Sequence, residues 1–212
     1  MKIHVVAIVL AAVGLSGCFS PRQGATPSRD TPEGTVEMFK VYARRGDPAG
    51  EWDILSPGLK QRLGQQSGRT IDLADYSQAR SMYRSDPRVR AAENMLQTAI
   101  VRKTTPVDAN TVNAFVQTSG GPLAKSATLR MVKLTRWQLF VRGQEEPYWG
   151  FTSDQNFGAE RRPDGSFVIW SRAQPGAQRM ENVIPASDVV NYKNDAQWYV
   201  DSLGGLESQF VQ

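Results

Sequence analysis

"TPEGTVEMFKVYARRGD", Thr31 to Asp47, is the stretch on which the reading of the whole chain turns. Thr31 has the side chain of a helix N-cap, and Pro32 stands at the first helical position, where its missing N–H costs nothing. Glu33 and Glu37 fall in or near the first turn, where the helix dipole favours acids. Val36, Phe39 and Ala43 recur at helical spacing with Tyr42 beside them, so one face is apolar. Arg44 and Arg45 give a positive last turn, and Gly46 supplies a C-terminal stop. Asp47-Pro48 then opens a short helix carrying Trp52, Ile54 and Leu55, and Ser56-Pro57 opens another carrying Leu59 and Leu63. Three cap-plus-proline starts in close succession predict a helix–turn–helix–turn–helix opening.

The residues Thr31-Pro32, Gly46-Asp47 and Leu55-Ser56-Pro57 resemble the opening of the NTF2-like (cystatin-like cone) superfamily, in particular its small bacterial lipoproteins. The resemblance covers residues 31–66 and is one of composition and spacing. It implies helices packed on a curved antiparallel sheet, forming a cone with an open cavity. Residues 67–94 depart from that pattern and read as a helical insertion. One helix is expected from Asp72 to Arg84, with Asp72 and Asp75 at its cap, and the next starts at Asp86-Pro87.

Beyond residue 94 the period shifts toward two. "MLQTAIVRK", "TVNAFVQT", "ATLRMVKL", "WQLFVR" and "SFVIWSR" are β-rich. Val112, Ala114 and Val116 alternate with Asn113, Phe115 and Gln117; Leu129, Met131 and Lys133 alternate with Arg130, Val132 and Leu134. Gly120-Gly121-Pro122 and "RPDG" (Arg162 to Gly165) supply turns. Strands following helices argue an α+β domain with an antiparallel sheet. The expected domain is single and spans 31–212: helical over 31–94, mainly β over 95–172, with a C-terminal extension over 173–212. Residues 185–208 read as a C-terminal helix that docks through Trp198, Tyr199, Val200 and Leu203.

Upstream, residues 1–17 read as a targeting segment. Lys2 forms a small basic n-region, and Val5 to Val13 is an uncharged apolar run, too short to span a bilayer. Leu15-Ser16-Gly17-Cys18 ends it with the only cysteine of the 212-residue chain. An ordinary signal peptide cut near Ala12, or a core cysteine, are the alternative readings. "LSGC" resembles the bacterial lipobox, and the resemblance implies that Cys18 is acylated and becomes the first residue of a lipoprotein. Two or more acyl chains anchor stably where one does not. Phe19 stands where retained inner-membrane lipoproteins typically carry Asp, which favours the outer membrane. The expected place is therefore the bacterial cell envelope, membrane-anchored and periplasm-facing. Residues 18–30, lipidated Cys18 and the Pro/Ser/Gly-rich run after it, read as a flexible tether.

Composition narrows the chemistry. The single histidine is His4, inside the targeting segment, so the domain has neither histidine nor a second cysteine. Serine–histidine and cysteine–histidine nucleophiles, His- and Cys-based zinc sites and disulfides are excluded. Net charge is +4, but basic and acidic residues are interspersed, which is no nucleic-acid footprint. "DQN" at Asp154 to Asn156 and "DG" at Asp164-Gly165 lack calcium-loop spacing, so no metal or cofactor is expected. Glu33 and Glu37 share a helix face, but acids stand there for dipole reasons as a rule; Glu145-Glu146 reads as a solvated turn.

The aromatics carry more. Trp137, Phe140, Tyr148, Trp149, Phe151, Phe167 and Trp170 crowd the strand region. In a cone fold, inward aromatics line an apolar pocket, so Trp137, Phe140, Tyr148, Trp149 and Trp170 are candidate ligand-binding residues; simple core filling is the competing reading. Arg130 and Arg142 face either solvent or the cavity, and inward they would suit an anion. The leading functional expectation is a non-enzymatic, lipid-anchored protein that binds an envelope protein, a wall component or an apolar ligand. The alternative is a small-molecule isomerase or lyase. It would use a carboxylate base in the cavity, with Tyr148 or Tyr42 as hydrogen-bond donor.

Overall fold

The computed structural model describes residues 25–68, 70–143, 149–154 and 156–205, without the side chains of Tyr83, Pro122 and Trp149. Five helices come first: α1 (Pro32–Arg45), α2 (Pro48–Ile54), α3 (Pro57–Gln66), α4 (Leu73–Tyr83) and α5 (Pro87–Thr98). Their starts follow the cap chemistry. The side chains of Thr31, Asp47 and Ser56 accept from the N–H groups of Gly34, Gly50 and Leu59. Asp72 and Asp75 form a reciprocal capping box on α4, and Asp86 accepts from the N–H of Arg88 on α5. Gly46, at φ 62°, ends α1 in the left-handed conformation that a β-carbon would strain. Gly50 serves packing instead: a β-carbon there would lie 2.3 Å from the Tyr42 ring, so α2 approaches α1 at glycine distance.

Eight strands follow, all paired antiparallel: β1 (Ile100–Asp108), β2 (Thr111–Gln117), β3 (Ser126–Val141), β4 (Trp149–Thr152), β5 (Phe157–Arg161), β6 (Phe167–Ser171), β7 (Met180–Ile184) and β8 (Val189–Ser202). The spine is β3. Its first half pairs with β2 (Thr111↔Val132 to Gln117↔Ser126), and its second half pairs on the same edge with β4 (Arg136↔Thr152 to Leu139↔Trp149). Its other edge carries β8 from Arg130↔Ser202 to Val141↔Val189. β1 completes this five-stranded sheet, and β5-β6-β7 form a separate three-stranded one.

Two cores result. In the first, Val36, Phe39, Leu59, Leu63, Met95 and Leu96 of the helices bury against Ala114, Val116, Leu129, Met131, Trp198 and Val200 of the large sheet. The alternation read along β2 and the start of β3 holds, with Ala114, Val116, Leu129 and Met131 inward. In the second, the far ends of β3 and β8 meet the small sheet through Leu139, Phe167, Ile169 and Ile184, with Trp137 and Tyr192 packed alongside. The fold is therefore α+β with antiparallel sheets that do not close into a barrel.

Several expectations need correction. Residues 185–208 contain no helix among the described residues: β8 runs from Val189 to Ser202 and its length is spent pairing with β3. Trp198 and Val200 do dock in the core, but as alternate residues of a strand. "MLQTAIVRK" divides between two elements, because α5 continues to Thr98 on the buried series Val89, Ala92, Met95 and Leu96. "ATLRMVKL" and "WQLFVR" are not two strands but one, β3. The end of the expected tether is also docked. Trp198 donates its N–H to the Arg29 carbonyl (2.8 Å), and Ser56 donates to the Val200 carbonyl (2.9 Å). Residues 198 and 200 thus turn their outward polar groups to Arg29 and Ser56, which cover that stretch of the β8 edge. No described helix is long and apolar enough to cross a membrane.

Candidate functional site

The helical layer carries a depression among the described residues. It is a groove of about 790 Å³ between the end of α2, the outer face of α3 and the segment leading to α4. Helix α3 sends Leu59 and Leu63 into the core, so Lys60, Gln61 and Gln65 face the groove instead. Pro57 and Ile71 add apolar wall, and Trp52 of α2 contributes its indole, with the Lys60 ammonium 4.9 Å from the ring centroid. Burial is the main reason the Lys60 pKa falls from 10.5 to about 8. Asp53 works against the fall, while Arg29 and Arg136 add to it. Asp53 is itself engaged: Arg29 Nη1 lies 2.7 Å and Arg136 Nη1 3.7 Å from its Oδ2. Arg29 also stacks over Tyr199 at 4.3 Å.

Behind Trp52 stands a buried ionic network. The Trp52 ring packs on that of Tyr76 in α4, with centroids 5.2 Å apart. Tyr76 Oη donates to Glu51 Oε2 (2.7 Å), and both residues are 1% exposed. Arg80 Nε donates to the same oxygen (2.7 Å), and its Nη2 donates to Glu51 Oε1 (2.9 Å) and to Glu93 Oε1 (2.5 Å). The network joins α2, α4 and α5 beneath a recess of about 180 Å³. Burial, and next the Glu51 charge, push the Tyr76 hydroxyl well above its usual range, so it is a donor at every ordinary pH. Burial opposes the charge of Arg80, but its Glu51 hydrogen bonds and charge outweigh that and raise its pKa. A general base needs a lone pair aimed at its substrate. Here both carboxylate oxygens of Glu51 accept from Arg80, and one also accepts from Tyr76. Neither Glu51 nor Arg80 stood out in the sequence; a charged residue one turn past an N-cap reads as solvated until a partner appears across the fold.

Of the candidate ligand-binding residues singled out earlier, the side chains of Trp137, Phe140 and Trp170 are described, and they do not gather in one pocket. Trp137 lies in the second core, edge-on to Phe167 at 5.9 Å, with Nε1 donating to Ser153 Oγ. Phe140 alternates to the opposite face of β3, 6.0 Å beneath the Lys193 ammonium. Trp170 sits over Gly158, with the guanidinium groups of Arg172 (5.2 Å) and Arg179 (4.4 Å) over its ring. Tyr148, Glu145-Glu146 and the side chain of Trp149 lie outside the described residues, as does Cys18 with the whole of 1–24. Arg130 and Arg142 face outward. Tyr42 packs on Gly50, and Glu37 pairs with Lys40 (2.8 Å), whose ammonium also bonds the Ala99 carbonyl. No group of three or more metal-ligating side chains occurs among the described residues. The helix-facing side of the large sheet is filled by helix side chains. No family model matches the chain, and no curated protein or solved structure matches it either.

Proposed function

We propose that the chain is a lipid-anchored protein of the bacterial cell envelope whose α+β domain is a non-catalytic binding module, with the α2–α3 groove as its binding site. The observation that carries the binding reading is the groove: a largely apolar hollow of about 790 Å³. That is within the size range of small-molecule sites. The nearest buried acid, Glu51, is consumed by its own ion pair. A fold related to the NTF2-like cone belongs to the same proposal. In favour is the order of elements, helices first and then an antiparallel sheet whose inner face they cover. The filled interior and the long C-terminal strand β8 make it a divergent form, with binding moved to the outside of the helices.

Leu15-Ser16-Gly17-Cys18 supports the anchor. With Arg29 held on β8 and Ser28 bonded to Gly34, residues 19–27 alone would connect Cys18 to the domain. At ~3.4 Å per residue such a leash reaches at most about 30 Å, which keeps the domain close to the bilayer. Cys18→Ala is expected to lose detergent-phase partitioning and the acyl mass on the native protein; an unmodified thiol in the wild type rejects the anchor. For the groove, an uncharged naphthylamine dye should brighten on binding, and Gln65→Trp, which fills the groove from an exposed position, should abolish the signal. Undiminished dye binding by a folded Gln65→Trp variant rejects the site.

A second reading, isomerase or lyase, has one observation in its favour: the Glu51–Tyr76 contact is a buried acid bonded to a tyrosine. It requires turnover that Glu51→Gln abolishes.

A further inference from the structure

We infer that the α2–α3 groove takes an anionic amphiphile, a small molecule with an apolar body and one acidic headgroup, whose charge is met by Lys60. The inference rests on reading the groove as a binding site and adds the chemical class of its occupant.

Among the described residues that line the groove, Lys60 is the ionisable one. The charged groups whose fields reach it are Asp53 from α2, Arg29 from the docked N-terminal segment and Arg136 from β3. Asp53 already pairs with both arginines. Three cations therefore share one carboxylate, and a positive surplus remains beside a partly dehydrated ammonium. Trp52 offers the ammonium a cation–π contact, a weak substitute for a counter-ion. An acidic headgroup would neutralise the surplus and give Lys60 a charge-assisted hydrogen bond.

The rest of the lining fits the other end of such a molecule. Trp52, Pro57 and Ile71 provide apolar wall, and Gln61, Gln65 and Thr70 supply neutral hydrogen-bonding groups. The volume suits a single small molecule and is too little for a folded partner. A cationic amphiphile would meet Lys60 head-on, and a neutral one would leave the surplus charge in place.

The pH dependence separates Lys60 from any ordinary surface lysine. Its ammonium is the binding form, and burial brings its pKa down to about 8. Preference for an anion is therefore present below pH 8 and fades above it, well before an exposed lysine would lose charge.

Two dyes with the same aromatic body test this on the full chain: 8-anilinonaphthalene-1-sulfonate and uncharged N-phenyl-1-naphthylamine. Titrations are read as wild type against Lys60→Met in identical preparations, so that binding to lipid or detergent cancels. The wild type should hold the sulfonate about tenfold more tightly relative to the neutral dye than Lys60→Met does, the size of one charge-assisted hydrogen bond. That preference should decline between pH 7 and 9.5, and Lys60→Arg should keep it across the range. Equal preference in wild type and a folded Lys60→Met, or a wild-type preference flat to pH 9.5, overturns the inference while the binding site stands. Failure of the neutral dye to bind, or its undiminished binding to Gln65→Trp, removes the binding site itself.

Discussion

Replacing Arg80 by Met should cost the domain a large part of its stability, although Arg80 lies in the helical layer. Glu51 is 1% exposed and takes three hydrogen bonds, two of them from Arg80. Without Arg80 its charge keeps the Tyr76 hydroxyl and no cation within salt-bridge distance among the described residues. Removing one partner of a buried pair costs about 3–5 kcal/mol, because the other charge is left without compensation. Against a total of ~5–15 kcal/mol for a domain, that is about a fifth or more, and a melting temperature lower by roughly 10 °C. The triple change Glu51→Leu, Tyr76→Phe, Arg80→Met replaces the network with apolar volume, while Glu93 lies near enough to the surface to turn to water. Such replacements are neutral or stabilising by about 1–4 kcal/mol. Guanidinium unfolding followed by circular dichroism compares the three proteins. An Arg80→Met variant within about 1 kcal/mol of wild type, or a triple variant as weak as the single, would refute the reasoning.

Other perturbations have definite outcomes. The folded Tyr76 pKa lies above the usual 10, so its contribution is complete below pH 10 and is lost as pH rises further; urea midpoints should fall above pH 10 in wild type and less steeply in Tyr76→Phe. Lys60 has the opposite sense: its folded pKa, about 8, is below the unfolded 10.5, so its charge opposes folding below pH 8 and that penalty is relieved between 8 and 10.5. Lys60→Met should therefore be more stable at pH 7 by about 1 kcal/mol once groove water screens the effect, and should flatten the rise. Gly50→Ala forces a β-carbon into the Tyr42 ring and should destabilise by roughly 1–3 kcal/mol in the same unfolding assay. Arg29→Ala removes the Asp53 ion pair and the stacking on Tyr199, and limited proteolysis should then cut sooner at the N-terminal side of Thr31.

The helical half was legible because its signals are local. A cap residue, a proline and a glycine act within four residues of themselves, so Thr31, Asp47, Ser56, Asp72 and Asp86 announce their helices without reference to anything distant. The core faces of α1 and β2 were legible for the same reason, since period and burial coincide. The candidate groove was not legible in the sequence. The aromatics of the strand region outnumber those of the helices, yet strand alternation and the second sheet scatter Trp137, Phe140 and Trp170 to different surroundings. The groove depends on Trp52, Lys60 and Ile71, each unremarkable where it stands in the chain.

By itself the amino-acid sequence determined the α+β class, the starts of five helices and the inward face of β2; it leaves residues 31–212 without histidine, and its single cysteine allows no disulfide within the chain. Tertiary structure alone decided that 189–202 is a strand, that Arg29 straps the domain's edge and that Glu51 is a structural acid. The physical reason is range. Each of those outcomes is a hydrogen bond or ion pair between groups more than twenty residues apart, where the partner, not the residue's own neighbours in the chain, supplies the energy.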